Sequence, residues 1–171
     1  MSAEGKFQAK YSDCLENFKE LSYDDKNNES LCQNTVYKYY NFDKIVKKED
    51  KDSGHRPASP DALIFKGKII YCVEFKNSFK ESVRVKGIQN KLQDGYHVLS
   101  GIFTELKLKI TDYELIFCVV HKVNKPNRER RSTENSYSFS LKKYGFNEVI
   151  TNDVSFFRQQ FIEKIGQNLS C

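Results

Sequence analysis

Two apolar, β-rich runs, PDALIF (60–65) and IIYCVEF (69–75), are separated only by Lys66-Gly67-Lys68. Branched and aromatic residues dominate both, which is the composition of strands bounded by a turn. With Gly67 at its first central position, the link fits a type II′ turn, whose twist suits a hairpin. That turn pairs Lys66 with Ile69, and each further pair keeps the same residue-number sum: Phe65 with Ile70, Leu63 with Cys72, and Asp61 with Glu74. Alternation then puts Asp61, Leu63, Phe65, Ile70, Cys72, Glu74 and Lys76 on one face, and Ala62, Ile64, Tyr71, Val73 and Phe75 on the other. Both faces are largely apolar, so the hairpin belongs inside a sheet covered on both sides.

The flanking segments supply the covering layers. Phe7, Tyr11, Cys14, Leu15, Phe18 and Leu21 recur at steps of three and four, which predicts an amphipathic helix over 7–21. The aromatic stretch NTVYKYYNFDKIV reads as a strand or a short helix, and Lys47–Pro57 as an exposed, turn-rich loop. Val85, Ile88, Leu92, Tyr96, Leu99, Ile102, Phe103 and Leu106 trace a long helix, and ELIFCVVHK (114–122) a buried strand. SYSFSL suggests a further strand, and a last helix is expected over 153–165, capped by Asn152 and ended by Gly166. This order of helix, strands, helix, strand is an α/β layer architecture. At 171 residues the chain fits a single domain, with 1–45 as an N-terminal helical and aromatic segment packed on the core.

Composition narrows the functional classes. Hydrophobic residues at 39% and charged residues at 30% suit a soluble globular chain, and no apolar run approaches the roughly 20 residues that span a bilayer. The start, MSAEGKFQAKYSDC, has no apolar secretion core, so a cytoplasmic or nucleoid location is expected. A net charge of +5 leans mildly toward polyanionic partners. The five cysteines show no CxxC spacing and read as free thiols in a reducing compartment; Cys72 and Cys118 lie in apolar runs. Three scattered histidines do not suggest a histidine-based metal cage.

The acidic pair is the chemical signal. Carboxylates opposite one another on neighbouring strands repel and destabilise a sheet. A divalent cation offsets that repulsion, and hard cations take one or two carboxylates together with water and phosphate oxygens. Lys76, two residues beyond Glu74, projects from the same face, where it can orient or deprotonate a water or offset charge on a phosphate. An isolated Glu-x-Lys is more often a solvated ion pair. At the end of an apolar hairpin, solvation explains it less well.

Pro60-Asp61, a short hairpin, and Glu74-Phe75-Lys76 closing an apolar strand resemble the PD-(D/E)xK motif of the restriction-endonuclease-like nuclease superfamily. The resemblance extends from about Phe7 to Lys122, and its specific part is the hairpin. It implies a central mixed β-sheet flanked by helices on both faces, with Asp61, Glu74 and Lys76 catalytic. It further implies one or two Mg2+ or Mn2+ ions held by Asp61, Glu74 and the Phe75 backbone carbonyl, with Glu16 or Glu20 of the first helix as an added acid, and Gln89 or Gln93 as an auxiliary residue. The Gln-x-x-x-Tyr signature of the exonuclease-like branch is absent, because Gln93 lies three residues before Tyr96. No histidine stands in the first helix, which argues against the viral cap-cleaving branch.

The loop after the buried strand carries Lys122, Lys125, Arg128, Arg130 and Arg131, a basic patch suited to phosphate contacts that bring affinity without sequence information. The expected partner is nucleic acid, DNA before RNA, with no membrane. Several nucleases of this kind act as homodimers, although no segment here marks a dimer face. A DNA endonuclease is the leading reading. A ribonuclease needs the same three residues, and a non-catalytic nucleic-acid or protein-binding module on the same fold is the alternative from another class.

Overall fold

The hairpin around Gly67 forms the middle of a six-stranded mixed sheet in the computed structural model, which describes residues 2–50, 56–77, 85–122 and 144–154. In chain order the elements are α1 (Ala3–Tyr11), β1 (Leu15–Asn17), α2 (Phe18–Leu21), β2 (Tyr23–Asp24), β3 (Glu29–Ser30), β4 (Lys38–Asn41), α3 (Phe42–Glu49), β5 (Ala62–Lys66), β6 (Ile69–Lys76), α4 (Val85–Glu105), β7 (Glu114–His121) and β8 (Glu148–Asp153). The strand order is β1-β4-β5-β6-β7-β8, and β2 and β3 form a separate hairpin. Pairing is antiparallel from β1 to β6 and parallel from β6 to β8, so α4 is the crossover between β6 and β7.

The register of the central hairpin is the one its turn predicts. Lys66 faces Ile69, Leu63 faces Cys72, and Ala62 faces Val73. Gly67 takes a φ of 59°, in the left-handed region that the first turn position requires, and Lys68 does not. The two faces separate as alternation demands. Leu63, Ile70 and Cys72 join one buried cluster with Phe7, Phe42, Ile45, Ile88, Leu92, Leu99 and Phe103, under α1, α3 and α4. Ala62, Ile64, Tyr71, Val73 and Phe75 join another with Phe18, Leu21 and Tyr39, on the side of α2. The molecule is therefore α/β, a mixed sheet with α1, α3 and α4 against one face and the single turn of α2 against the other.

The first helix differs from the expectation. A single helix over 7–21 is replaced by α1, a 3-10 turn at Ser12–Cys14, the edge strand β1 and then α2. Phe7, Tyr11 and Cys14 bury on one side of the sheet, while Phe18 and Leu21 bury on the other. What reads as one apolar stripe is two short ones on opposite faces, and the chain crosses the sheet edge between them by pairing Leu15 with Tyr40 and Glu16 with Tyr39. Asn17 restarts the helix through a capping box with Glu20.

Other boundaries move as well. The 34–46 stretch is strand and then helix, and α3 continues to Glu49, into the stretch expected to be loop. β8 arises in a segment not read as a strand, while SYSFSL and the helix expected over 153–165 fall outside the described residues, apart from the first two positions of that helix. Cys14, Cys72 and Cys118 are buried free thiols, but Cys32 is disulfide-bonded, which corrects the expectation of five free thiols. Among the described residues no helix is long and apolar enough to cross a membrane.

Candidate functional site

Asp61 stands at the open end of the central hairpin and is fixed through its backbone on both sides. Its N–H donates to the Val73 carbonyl at 2.9 Å, and its carbonyl accepts from the Phe42 N–H, the first residue of α3, at 3.0 Å. Its side chain turns toward the neighbouring strand, where Oδ2 accepts the Phe75 N–H at 2.7 Å. The preceding residues are pinned to α4. Asp94 Oδ2 accepts the Ala58 N–H at 3.0 Å, and Gly95 lets Pro60 approach so closely that an added Cβ would lie 2.9 Å from the proline Cδ.

Glu74 lies on the central strand β6, on the face toward α4, and its side chain is only 1% exposed. A carboxylate so buried needs partners. Among the described residues it has two: Lys76 Nζ lies 2.6 Å from Oε1, and Lys91 Nζ lies 2.7 Å from Oε2. Lys91 also lies 3.7 Å from Asp61 Oδ1. Two carboxylates and two ammonium groups thus form one cluster.

The cluster lies in a cleft of about 410 Å3. Asp61, Glu74, Phe75, Lys76, Asn77 and Lys91 line one side, and Leu21 to Asn27, running from the end of α2 through β2 into its turn, line the other. Asp24, which closes β2, is committed to local structure, accepting from the Lys26 N–H and the Asn27 side-chain amide at 2.9 and 2.6 Å.

Burial, and next the charge of Glu74, hold the Asp61 carboxyl above the usual carboxylate range, against the opposing pull of Lys91, the Phe75 N–H and Lys76. Burial draws Lys91 downward, but the charges of Glu74 and Asp61 and the bond to Glu74 outweigh it and hold the ammonium above its ordinary value. A proton on Asp61, or a further positive charge beside it, is therefore favoured.

The donor chemistry fits a hard divalent cation such as Mg2+ or Mn2+: carboxylate oxygens, with no thiolate or imidazole among the described residues lining the cleft. Among the described residues no group of three or more His, Cys, Asp or Glu side chains is placed to hold a metal. An ion here would use Asp61 and Glu74 and complete its shell from water, phosphate or backbone oxygen.

Other expected site residues are placed elsewhere. Glu16 sits on edge strand β1, bound by Lys44 and by the Asn41 side-chain amide, and Glu20 closes the α2 capping box; neither lines the cleft. Their proposed place beside the acidic pair assumed one continuous first helix. Gln89 and Gln93 are on α4 but are not among the described residues lining the cleft. Phe75 does line it, and the contact the structure gives its backbone is the N–H donated to Asp61. Lys122 donates to Glu29 Oε1 at the start of β3, while Lys125, Arg128, Arg130 and Arg131 lie outside the described residues.

Lys91 is the member of the charged cluster that sequence reasoning missed, yet a signal existed. It lies three residues after Ile88 and four before Gly95, on the apolar stripe of α4, where a charge calls for a buried partner. The far wall at Tyr23–Asn27 carried no comparable signal, since a polar connection does not say which cleft it will border. No protein-family model, curated protein or solved structure matches this chain.

Proposed function

We propose that this protein is a metal-dependent nuclease that hydrolyses phosphodiester bonds, with a DNA endonuclease favoured, on a restriction-endonuclease-like core. The observation that carries this reading is the convergence of Asp61, Glu74 and Lys76 at the open end of a buried hairpin, on the wall of a cleft. The sequence of α1, central hairpin, α4 and parallel β7 is in keeping with that core.

Asp61 and Glu74 would hold Mg2+ or Mn2+, and a bound ion would supply a water of lowered pKa and neutralise charge on the scissile phosphate. Lys76 has a side chain 31% exposed on the cleft wall, so its ammonium can turn between Glu74 and an incoming group. There it would orient the attacking water or donate to a phosphate oxygen as negative charge grows. The Phe75 N–H holds Asp61 in one orientation, which keeps its other oxygen directed at the cluster.

A second reading, a non-catalytic binding module on the same fold, is favoured by one observation: Lys76 and Lys91 already neutralise the two carboxylates. The experiment that separates the two incubates the protein with supercoiled plasmid, linear single-stranded DNA and structured RNA, each with EDTA, Mg2+ or Mn2+, beside Lys76→Ala. Metal-dependent cutting that the variant loses supports the nuclease, and the preferred substrate chooses between DNA and RNA. Equal inertness of both proteins on every substrate favours the binding module.

A further inference from the structure

The two lysines of the cluster do not occupy equivalent positions. Asp61 Oδ2 is taken by the Phe75 N–H, so Oδ1 is the oxygen of Asp61 that faces the cluster. Lys91 Nζ lies 3.7 Å from that Oδ1 and 2.7 Å from Glu74 Oε2, so it spans the acidic pair. Lys76 touches the far oxygen, Glu74 Oε1, at 2.6 Å. Any ion shared by Asp61 Oδ1 and Glu74 Oε2 must enter the space that the Lys91 ammonium covers. Two cations cannot share it, because like charges at contact distance repel strongly where water is scarce.

The helix that carries Lys91 is held tightly against the strand segment that carries Asp61. Gly95, one turn further along α4, is in close contact with Pro60, and Asp94 binds the Ala58 N–H. Withdrawal of Lys91 therefore falls to its flexible four-carbon side chain, which is 25% exposed and has the cleft to turn into.

We propose that Lys91 is the built-in counter-ion of the acidic pair, and that a divalent cation binds by displacing its ammonium from between Asp61 Oδ1 and Glu74 Oε2. This inference rests on the metal-binding reading of the same site. Lys91 stabilises the metal-free protein and, by the same contacts, weakens the affinity for metal. Lys76, bonded to the outer oxygen, does not occupy the shared space and is a counter-ion of a different kind.

The test measures Mn2+ binding by titration calorimetry on wild type, Lys91→Met and Lys76→Met, with catalysis playing no part. Lys91→Met is expected to bind Mn2+ about tenfold more tightly than wild type or better, and Lys76→Met to change far less. Equal tightening in both variants would mean a general charge effect and would overturn the displacement. Wild-type binding with no tightening in Lys91→Met overturns it too, while leaving the metal site standing. Binding by none of the three overturns the metal-binding reading and this inference with it. If Lys91→Met fails to fold without metal, wild type alone decides through the NMR signal of its Lys91 side-chain ammonium. Addition of Mg2+ should shift or abolish that signal, and an unchanged signal under saturating Mg2+ overturns the proposal.

Discussion

Glu16 on the edge strand β1 and Glu74 on the central strand β6 are both strand-borne carboxylates bound to lysine, yet their surroundings give them different capacities. Glu16 is 18% exposed and has one lysine, Lys44, itself 46% exposed, together with the Asn41 amide. Burial pushes the Glu16 carboxyl up, but the bonds from Lys44 and Asn41 outweigh it and hold it below the usual range, as a settled anion. Glu74 is 1% exposed, has two lysines, and shares Lys91 with a second acid whose carboxyl is pushed upward. At the edge, one ion pair closes the account of charge. At the centre, two acids compete for shared cations, and that is an arrangement a divalent ion can replace.

The largest expected effect tests this difference in function. Under the proposed nuclease activity, Glu74→Gln should lower metal-dependent cleavage by on the order of a hundredfold or more, as loss of a metal ligand or its charge would. Glu16→Gln should leave cleavage near wild type, and an equal loss in both, measured on the preferred substrate, would break the comparison.

The next effect lies in stability without metal. Lys91→Met leaves the buried Glu74 and its half-buried partner Asp61 short of a cation and should cost about 2 kcal/mol in denaturant unfolding with EDTA, part of the full penalty because Lys76 remains and Asp61 is partly solvated. Lys44→Met, at a more exposed pair, should cost below about 1 kcal/mol. Saturating Mn2+ should recover the loss in Lys91→Met and not in Lys44→Met.

A pH series sharpens the contrast further. The Asp61 carboxyl is raised to about 7 in the folded chain, against about 3.9 when unfolded. Between those values the native state holds a proton that the unfolded chain has lost, so this group makes stability fall as pH rises through the window. Metal-free Asp61→Asn should show a flatter fall than wild type from about pH 4 to 7, whereas Glu16→Gln should not flatten it.

The smallest effect concerns the helix that brings Lys91 in. Gly95→Ala drives a methyl to 2.9 Å from Pro60 Cδ and should lose about 1 kcal/mol net of the helix-propensity gain. Gly101→Ala, on the same helix with nothing within 4 Å, should gain up to about 1 kcal/mol. Thermal unfolding of the two variants side by side checks the opposite signs.

The local part of this site was legible in the residues themselves. A glycine turn and a period of two set the hairpin register from Lys66–Ile69 out to Ala62–Val73, which carries Asp61 to the open end of the hairpin beside the Glu74–Lys76 segment; there the Asp61 N–H bonds to the Val73 carbonyl and its side chain to the Phe75 N–H, in place of a regular pair with Glu74. These relations span few residues and follow from backbone geometry, so no distant segment has to be known. The split of the first helix was decided by the sheet, because a spacing of three and four does not say whether successive apolar residues bury on one face or on two. β8 likewise becomes a strand by pairing with β7, since strand formation depends on its neighbours more than on intrinsic preference. The approach of Lys91 to both carboxylates, the fit of Gly95 to Pro60 and the far wall at Tyr23–Asn27 depend on how a helix and a remote turn pack against the sheet. Sequence by itself determined which two acids come together at the open end of the hairpin. Only the tertiary structure decided which cation stands between them, because that contact is made across layers rather than along the chain.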